Sequence, residues 1–498
     1  MKKQVGIMLI LLAVGINVKA QNEKDAFRYA QYSPIGTARH SALAGSMGAY
    51  GADFSGLSAG NPGGIGLFKR MELTITPSFS YSKIFSQYND EVRNGVDDKV
   101  SLNNLGVVFA VSAPSKSKWK SMQFATGLNN LARYNGTSIT FAPNKGNING
   151  TTNFFDYVAA RSNGSDYRLL ENVAILGIKG IALDAWNYIL IDSISGKNNQ
   201  YGSMVGDNFN QMQIKESRGY LNEYVFSFGG NYDDQLFVGA TIGIPFFNYY
   251  QGTIYTESRN TFYDSLIVFD EFSSRAIGVN LKLGIIYQPI KCLRIGAAFH
   301  TPTRYPNVAE TYQSSFDIWG TRDSISYDIS RESGRGDFDY QLTTPYRAMA
   351  NIAFIYKSKG FINVDYELTD YSTSQFQSKS SRSYQFIDEN KNIKKYYGIT
   401  HTVRIGGELN LSPIALRLGY AYSSNPYNKN KVEKDGSIHS VSAGIGIKGK
   451  IFFADFAYIY RFSEDKDVFY EHESINPYTN QIVNQFFALT LGCKIGTW

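Results

Sequence analysis

Apolar and polar residues alternate with a period of two over many segments of this chain, the pattern of β-strands with one apolar and one polar face. Over 401–411, His401, Val403, Ile405, Gly407, Leu409 and Leu411 share a face opposite Arg404, Gly406, Glu408 and Asn410. Over 414–423, Ile414, Leu416, Leu418, Tyr420 and Tyr422 oppose Ala415, Arg417, Gly419, Ala421 and Ser423. Over 361–368, Ile362, Val364, Tyr366 and Leu368 oppose Phe361, Asn363, Asp365 and Glu367. Comparable runs fall at 276–287, 293–300, 439–448 and 451–462. Runs of about ten residues are long enough to cross a bilayer at a tilt, and longer than most strands of a soluble sandwich.

The spacing of these runs predicts about fourteen strands, beginning near 72, 101, 119, 220, 235, 274, 292, 345, 361, 400, 414, 438, 451 and 484. Short connections (Ala113–Lys118, Tyr232–Asp234, Gln288–Lys291, Lys357–Gly360, Ser412–Pro413, Gly449) alternate with long ones (83–100, 131–219, 250–273, 303–344, 373–399, 424–437, 463–483). Short periplasmic turns and long outer loops mark a transmembrane barrel, and a soluble sandwich has no reason to obey that rhythm. The expected fold is therefore an all-β, antiparallel outer-membrane barrel. Its inward face would carry Lys282, Arg294, His300, Asp365, Glu367, Arg404, Glu408 and Arg417, with Lys448, Asp455 and Arg461. Charges are tolerated there, whereas lipid would penalise them by several kcal/mol at mid-depth. A bracing network of ion pairs is the favoured reading over a transport role for any one of them. The excursion 131–219 is too long for a simple loop. Its stretch Ser165–Ile194 predicts short helices in an outer cap, with Leu169–Leu190 forming either an apolar capture surface or a lid packed on itself.

Composition sharpens this picture. With 36 Tyr, 33 Phe, 46 Gly and only 13 Pro, the mean hydropathy is still −0.26, as expected when an apolar outer face is diluted by a polar lumen and loops. Lys2 and Lys3, the apolar run Val5–Val14 and the small residue Ala20 predict a signal peptide over 1–20, with export to the Gram-negative outer membrane. No later stretch is apolar enough for a membrane helix. Cys292 and Cys493 fall on distant strands and are expected to be free thiols. The net charge of +6 is scattered and gives no nucleic-acid signal. Lys116, Lys118, Lys357 and Lys359 sit in periplasmic turns, where they would meet headgroups or simply be solvated.

Residues 21–71 precede the first strand and do not read as a strand pair. Asn22–Tyr32 predicts a short helix, and Ala38–Gly60 is rich in Ala, Gly and Ser, which allow backbone to approach backbone. Asn61-Pro62-Gly63-Gly64 predicts a type II turn. A fourteen-stranded lumen is wide enough to hold such a segment as a plug.

The stretches Ala38-Arg39-His40-Ser41-Ala42-Leu43-Ala44-Gly45 and Gly51-Ala52-Asp53-Phe54-Ser55-Gly56-Leu57-Ser58-Ala59-Gly60-Asn61-Pro62-Gly63-Gly64-Ile65 resemble the N-terminal hatch of FadL-type outer-membrane transporters, the long-chain fatty-acid and aromatic-hydrocarbon channels. The likeness continues through His300-Thr301-Pro302, Asn363-Val364-Asp365-Tyr366-Glu367, Leu416-Arg417-Leu418-Gly419-Tyr420, His439–Gly444 and Asp455–Tyr458. Its flavour is that of a Bacteroidota branch, some of whose members carry the label "hemin receptor". The resemblance implies a fourteen-stranded barrel plugged by a hatch over 21–71, inside a barrel of 72–498. Phe54, Leu57, Asn61, Pro62 and Gly63 would bind or gate the ligand. Hydrophobic small molecules would be captured outside, shift the hatch and leave through the wall, with Gly127–Asn130 as the place where a kink would open it. Gly63 departs from the usual Ala, and Trp498 is out of phase with Leu489, Leu491, Cys493 and Ile495.

Expected partners are the ligand, outer-membrane lipids and the barrel assembly machinery, with the chain a monomer and no cofactor or metal required. Two other functions use the same fold: a haem receptor drawing on His40, His300, His401, His439 and His472, and a barrel handing secreted proteins to a surface apparatus. An enzyme is not expected, because no nucleophile elbow or Ser-His-Asp spacing appears. Export predicts a mature chain beginning at Gln21, which the intact mass of the protein purified from outer membranes would check.

Overall fold

The computed structural model describes residues 23–33, 35–114, 116–143, 152–206, 209–258, 263–322, 325–380, 384–428, 435–470, 472 and 475–496. The signal peptide expected over 1–20 and Trp498 lie outside them.

The wall is a closed antiparallel barrel of fourteen strands. The first seven are β1 Met71–Tyr88, β2 Glu91–Ser112, β3 Trp119–Arg133, β4 Asn210–Tyr232, β5 Leu236–Ser258, β6 Asn280–Ile290 and β7 Leu293–His300. The rest are β8 Arg347–Tyr356, β9 Gly360–Asp370, β10 Ile399–Leu411, β11 Ile414–Ser423, β12 Ile438–Lys448, β13 Phe452–Asp467 and β14 Tyr478–Ile495. Each pairs with its successor, and β14 returns to β1 from Met71↔Ile495 to Gln87↔Thr479. Closure matters because lipid offers no partner to a free strand edge.

Side chains obey the alternation. Leu73, Ile75 and Phe79 of β1 are exposed on the outer face, while Glu72, Thr74, Thr76, Ser78, Ser80 and Ser82 are buried inside. A polar inner face can be buried only if something fills the lumen. That filler is residues 23–70, with helices α1 Glu23–Ala30, α2 Ala38–Ala42 and α3 Phe54–Ala59 and a 3-10 helix at Pro62–Leu67. Thr37, Asp53 and Asn61 cap the last three through side-chain oxygens. The type II turn expected at Asn61–Gly64 is corrected to this 3-10 turn: the Asn61 carboxamide accepts the Gly63 N–H at 2.9 Å and starts it.

The outer loops also depart from expectation. The "loop" 83–100 is the continuation of β1 and β2, joined at Asn89-Asp90. Much of 250–273 and 303–344 is likewise strand: Ser265–Ile277 pairs with the upper half of β5, then with Arg304–Arg322, which pairs in turn with Gly336–Thr343. The strand expected from 274 is broken at Gly278, where the wall ends and this upper sheet begins. Above the bilayer neither face is lipid-exposed, so the period-2 signal fades although pairing continues. The region 131–219 is partly helical, with α4 Phe154–Ser162, a 3-10 turn at Tyr167–Asn172 and α5 Ile181–Asn187, but its ends are strands. Cys292 and Cys493 are free thiols.

Glycine sets how closely plug and wall approach. On the inner face of β11, a Cβ on Gly419 would overlap the backbone of Leu43 and Ala44, and one on Gly444 of β12 would overlap Ala42. Gly419→Val is therefore expected to cost about 1–3 kcal/mol of overpacking, borne by the plug. The barrel should keep its heat-modifiable mobility on gels while residues 38–50 become sensitive to limited proteolysis.

Candidate functional site

The site is the contact between residues 23–70 and the inner wall. At the top, α1 sits in an aromatic chamber: Tyr29 stacks on Phe247 with centroids 4.0 Å apart, and Phe27 stacks on Tyr397 at 5.0 Å and meets the edge of Tyr371 at 4.9 Å. Lys24 and Lys215 converge on Asp467 above the membrane. Burial would raise that carboxyl, but the two ammoniums outweigh it and hold Asp467 well below the usual carboxylate range. Just below, the Ser33 N–H donates to the Leu131 carbonyl at 2.7 Å and Arg347 donates to the Ala30 carbonyl at 2.5 Å.

Deeper in the lumen the plug is held by hydrogen bonds to inward side chains. The Ala38 N–H donates to Thr490 at 2.6 Å, and Ser442 donates to the Ala42 carbonyl at 2.9 Å. Gly48 N–H donates to Asp365 at 3.0 Å, and the amides of Ala49 and Tyr50 share Asn363 at 3.2 and 3.1 Å. Arg294 donates to the Tyr50 carbonyl at 2.8 Å. Lys282 is ion-paired with Glu223 and donates to the Ser58 carbonyl at 2.7 Å, while His300 Nε2 lies 2.8 Å from the Gly60 carbonyl. Asn61 donates to the Ile285 carbonyl and to Asn351, both at 3.1 Å. Pro62 and Gly63 lie flat against Gly239 and Gly284, where no Cβ would fit.

Besides the Lys282–Glu223 pair and the cluster at Asp467, two groups of charges lie along the wall. Glu408, fully buried, accepts from Arg39 at 2.8 Å, Arg417 at 2.7 Å and Lys448 at 2.6 Å, and Arg417 also reaches Asp455 at 2.6 Å. Glu367 bridges Arg347 at 2.7 Å and Arg404 at 2.8 Å. Only Arg39 comes from the plug; the other charges in these two groups are cross-strand neighbours in the wall.

One sector of the wall is incomplete. The β2–β3 ladder runs from Ser112↔Ser121 only to Asn104↔Asn129. Above it β2 pairs with β1 alone, while β3, bulged between Asn130 and Ala132, pairs with β4. The β1–β2 hairpin then leans on the strand Gly136–Ala142, with Gly95 against the Thr137 carbonyl and Arg93 over the Phe141 ring. Polar atoms with no partner collect at this seam: Asn103 Nδ2, Asn129 Nδ2, Asn130 Oδ1 and Arg133 Nε. Immediately beneath, Phe54 is wedged against the cross-strand pair Gly106↔Gly127, and the neighbouring Ser55 donates to Asn129 Oδ1 at 3.0 Å. Leu57 packs beside Phe54 with Ile65, Val108, Ala125 and Val225.

All thirteen residues singled out from the sequence thus lie at the plug–wall contact or in its charge groups. The sequence missed Glu223, Arg347, Asn351 and Thr490, ordinary polar members of inward faces with nothing in their spacing to mark them, whereas the alternation places Asn363 on the inward face and Asn129 falls in the Gly127–Asn130 stretch, with no contact assigned to either. In the cap, Leu170, Ile175, Ile181 and Leu190 are buried on one another and on Phe316, while Tyr167, Leu169 and Ile189 stay exposed.

No protein-family model and no curated protein matches the chain. Solved structures do. The Ralstonia pickettii toluene transporter TbuX is 16% identical over 94% of this chain and 100% of its own, with a TM-score of 0.50. A Pseudomonas aeruginosa FadL homologue is 11% identical over 93% and 99%, with a TM-score of 0.53. The P. putida toluene transporter TodX is 10% identical over 94% and 100%, also at 0.53. The chain therefore has the fold of the FadL-type hydrocarbon transporters, over nearly its whole length. Two of these neighbours are described as toluene transporters and the third as a FadL homologue.

Removing the anion from the larger charge group is the sharpest test of bracing. Glu408→Gln leaves Arg417 and Arg39 without their shared carboxylate, an expected loss of about 3–5 kcal/mol, read from urea unfolding of the barrel in lipid vesicles. Arg39→Met, which leaves Glu408 with two cations, should lose clearly less. Equal losses would mean that the plug contact, not the wall network, carries the stability.

Proposed function

We propose that this chain carries hydrophobic small molecules through the Gram-negative outer membrane by passive diffusion, gated by residues 21–71 acting as a hatch and ending in lateral release between β2 and β3. The observation that carries the proposal is the seam above Asn104↔Asn129, with Phe54 of the plug wedged against its lower edge.

The route follows from partition. An apolar molecule gains by leaving water for the exposed Tyr167, Leu169 and Ile189 of the cap, then for the aromatic chamber that α1 occupies. A wet periplasmic mouth would offer it nothing, whereas the seam opens toward acyl chains. Phe54 and Leu57 form the moving stopper, because their contacts are apolar and tolerate a sliding neighbour. Asn61, Pro62 and Gly63 are the fixed foot, pinned to β6 and β8. The charges Lys282, Arg294, His300, Asp365, Glu367, Arg404, Glu408 and Arg417 hold plug and wall in register and do not touch the ligand. Haem capture finds no particular support: His300 faces Gly60, while His401 and His439 pair with Tyr366 and Tyr420 on the outer face.

A Ser55→Cys/Asn129→Cys pair joins hatch to seam where the native side chains already touch. In liposomes, oxidised protein should take up toluene or oleate no faster than protein-free vesicles, and reduction should restore uptake. Phe54→Ala should speed uptake without either treatment. Unchanged uptake in the oxidised pair, with the crosslink verified by mass, would sink the gating proposal.

A further inference from the structure

The rim formed by the short turns carries a charge pattern that transport does not use. On the arc from the β12–β13 turn, past the β14–β1 junction, to the β2–β3 turn, three lysines are neutralised: Lys448 by Glu408, Lys494 by Glu72 at 3.2 Å, and Lys120 by Asp233 at 3.8 Å. Five further cations on the same arc, Lys69, Arg70, Lys116, Lys118 and Lys450, make no ion pair among the described residues. The four lysines of that set are exposed.

Hydrogen bonds to backbone carbonyls, one from the Arg70 guanidinium and one from a backbone amide, hold these positions together. Arg70 donates to the Lys450 carbonyl at 3.0 Å, and the Asp233 N–H donates to the Lys118 carbonyl at 2.8 Å. Elsewhere the rim is sparser: the β10–β11 turn is the uncharged Ser412-Pro413, the β6–β7 turn carries the single exposed Lys291, and the β8–β9 turn carries exposed Lys357 and Lys359. Directly beside the arc, on the same strands, the outward side chains are large and apolar, with Val111, Trp119, Phe452 and Ile495 exposed. They continue the lipid-facing band without a break.

A row of unpaired cations one layer below exposed aromatic and aliphatic side chains matches the profile of a phospholipid leaflet, with anionic headgroup outside and acyl chain inside. We propose that this arc is a docking surface for the headgroups of anionic phospholipids in the periplasmic leaflet. Lys69, Lys116, Lys118 and Lys450 meet the phosphates, and Trp119 and Phe452 set the depth. A solvated lysine fringe needs neither the clustering nor the adjoining apolar row. The inference depends on how the barrel sits in the membrane and is independent of what it carries.

Native mass spectrometry of the full chain with equal phosphatidylglycerol and phosphatidylcholine tests it. The wild type should retain the anionic lipid at least about fivefold more often, the effect of roughly one cation's attraction at a membrane surface. K69Q/K116Q/K118Q/K450Q should lower that ratio to about one, as should about 0.5 M salt, with heat-modifiable mobility confirming that the variant is folded. K357Q/K359Q, away from the arc, should keep the wild-type ratio. Equal retention of both lipids by the wild type would overturn the proposal, as would a quadruple variant that keeps its preference or a K357Q/K359Q variant that loses it. Displacement of the lipid by soluble glycerol phosphate would do the same, since the arc would then read a free phosphate.

Discussion

Everything in this molecule depends on backbone hydrogen bonds that lipid cannot replace. Fourteen strands satisfy them by closing on themselves, β14 against β1. Closure at that number leaves a lumen too wide for wall side chains alone to fill. The strands also place Glu72, Thr76, Ser78, Lys282 and Arg417 inside, all buried. A wall that must close thus creates a polar interior that must be filled, and residues 23–70 fill it.

The filling is built differently from the bracing. Within the wall, Glu408 and Glu367 gather cations from neighbouring strands into dry, multiply bonded groups that are costly to break. The plug instead touches the wall mainly through single hydrogen bonds at its carbonyls and amides, such as those to Thr490, Asn363 and His300. Water can replace such bonds one at a time, at a net cost of about 1 kcal/mol each. A stable wall with an exchangeable filling is what the proposed gating would require. At the seam above Asn104↔Asn129 the ladder stops, and Phe54, its apolar neighbours and the single Ser55–Asn129 hydrogen bond stand behind it.

Much of this was legible in the chain itself. The inward and outward faces of β9, β10 and β11 were read correctly from period-2 alternation, because a residue between lipid and lumen has only two environments. Above the bilayer that dichotomy ends, so the upper halves of β1, β2 and β5 and the strand Arg304–Arg322 read as loops although they are paired. The turn at Asn61-Pro62-Gly63 shows a finer failure. Its residue types suit a type II turn, but the carboxamide cap and the flat approach to Gly239 and Gly284 make it helical.

Local order therefore determined the strands, their faces, the placement of charge inside and the presence of a plug-like segment, since each follows from neighbours two residues apart or from composition. Only the tertiary structure decided which partners those residues meet. That Arg39 reaches Glu408, that Ser55 reaches Asn129, and that Phe54 stands on the Gly106↔Gly127 pair all depend on barrel closure and on the level at which the plug settles. Those contacts join residues tens to hundreds of positions apart, and no periodicity in the chain encodes the height of one element inside another.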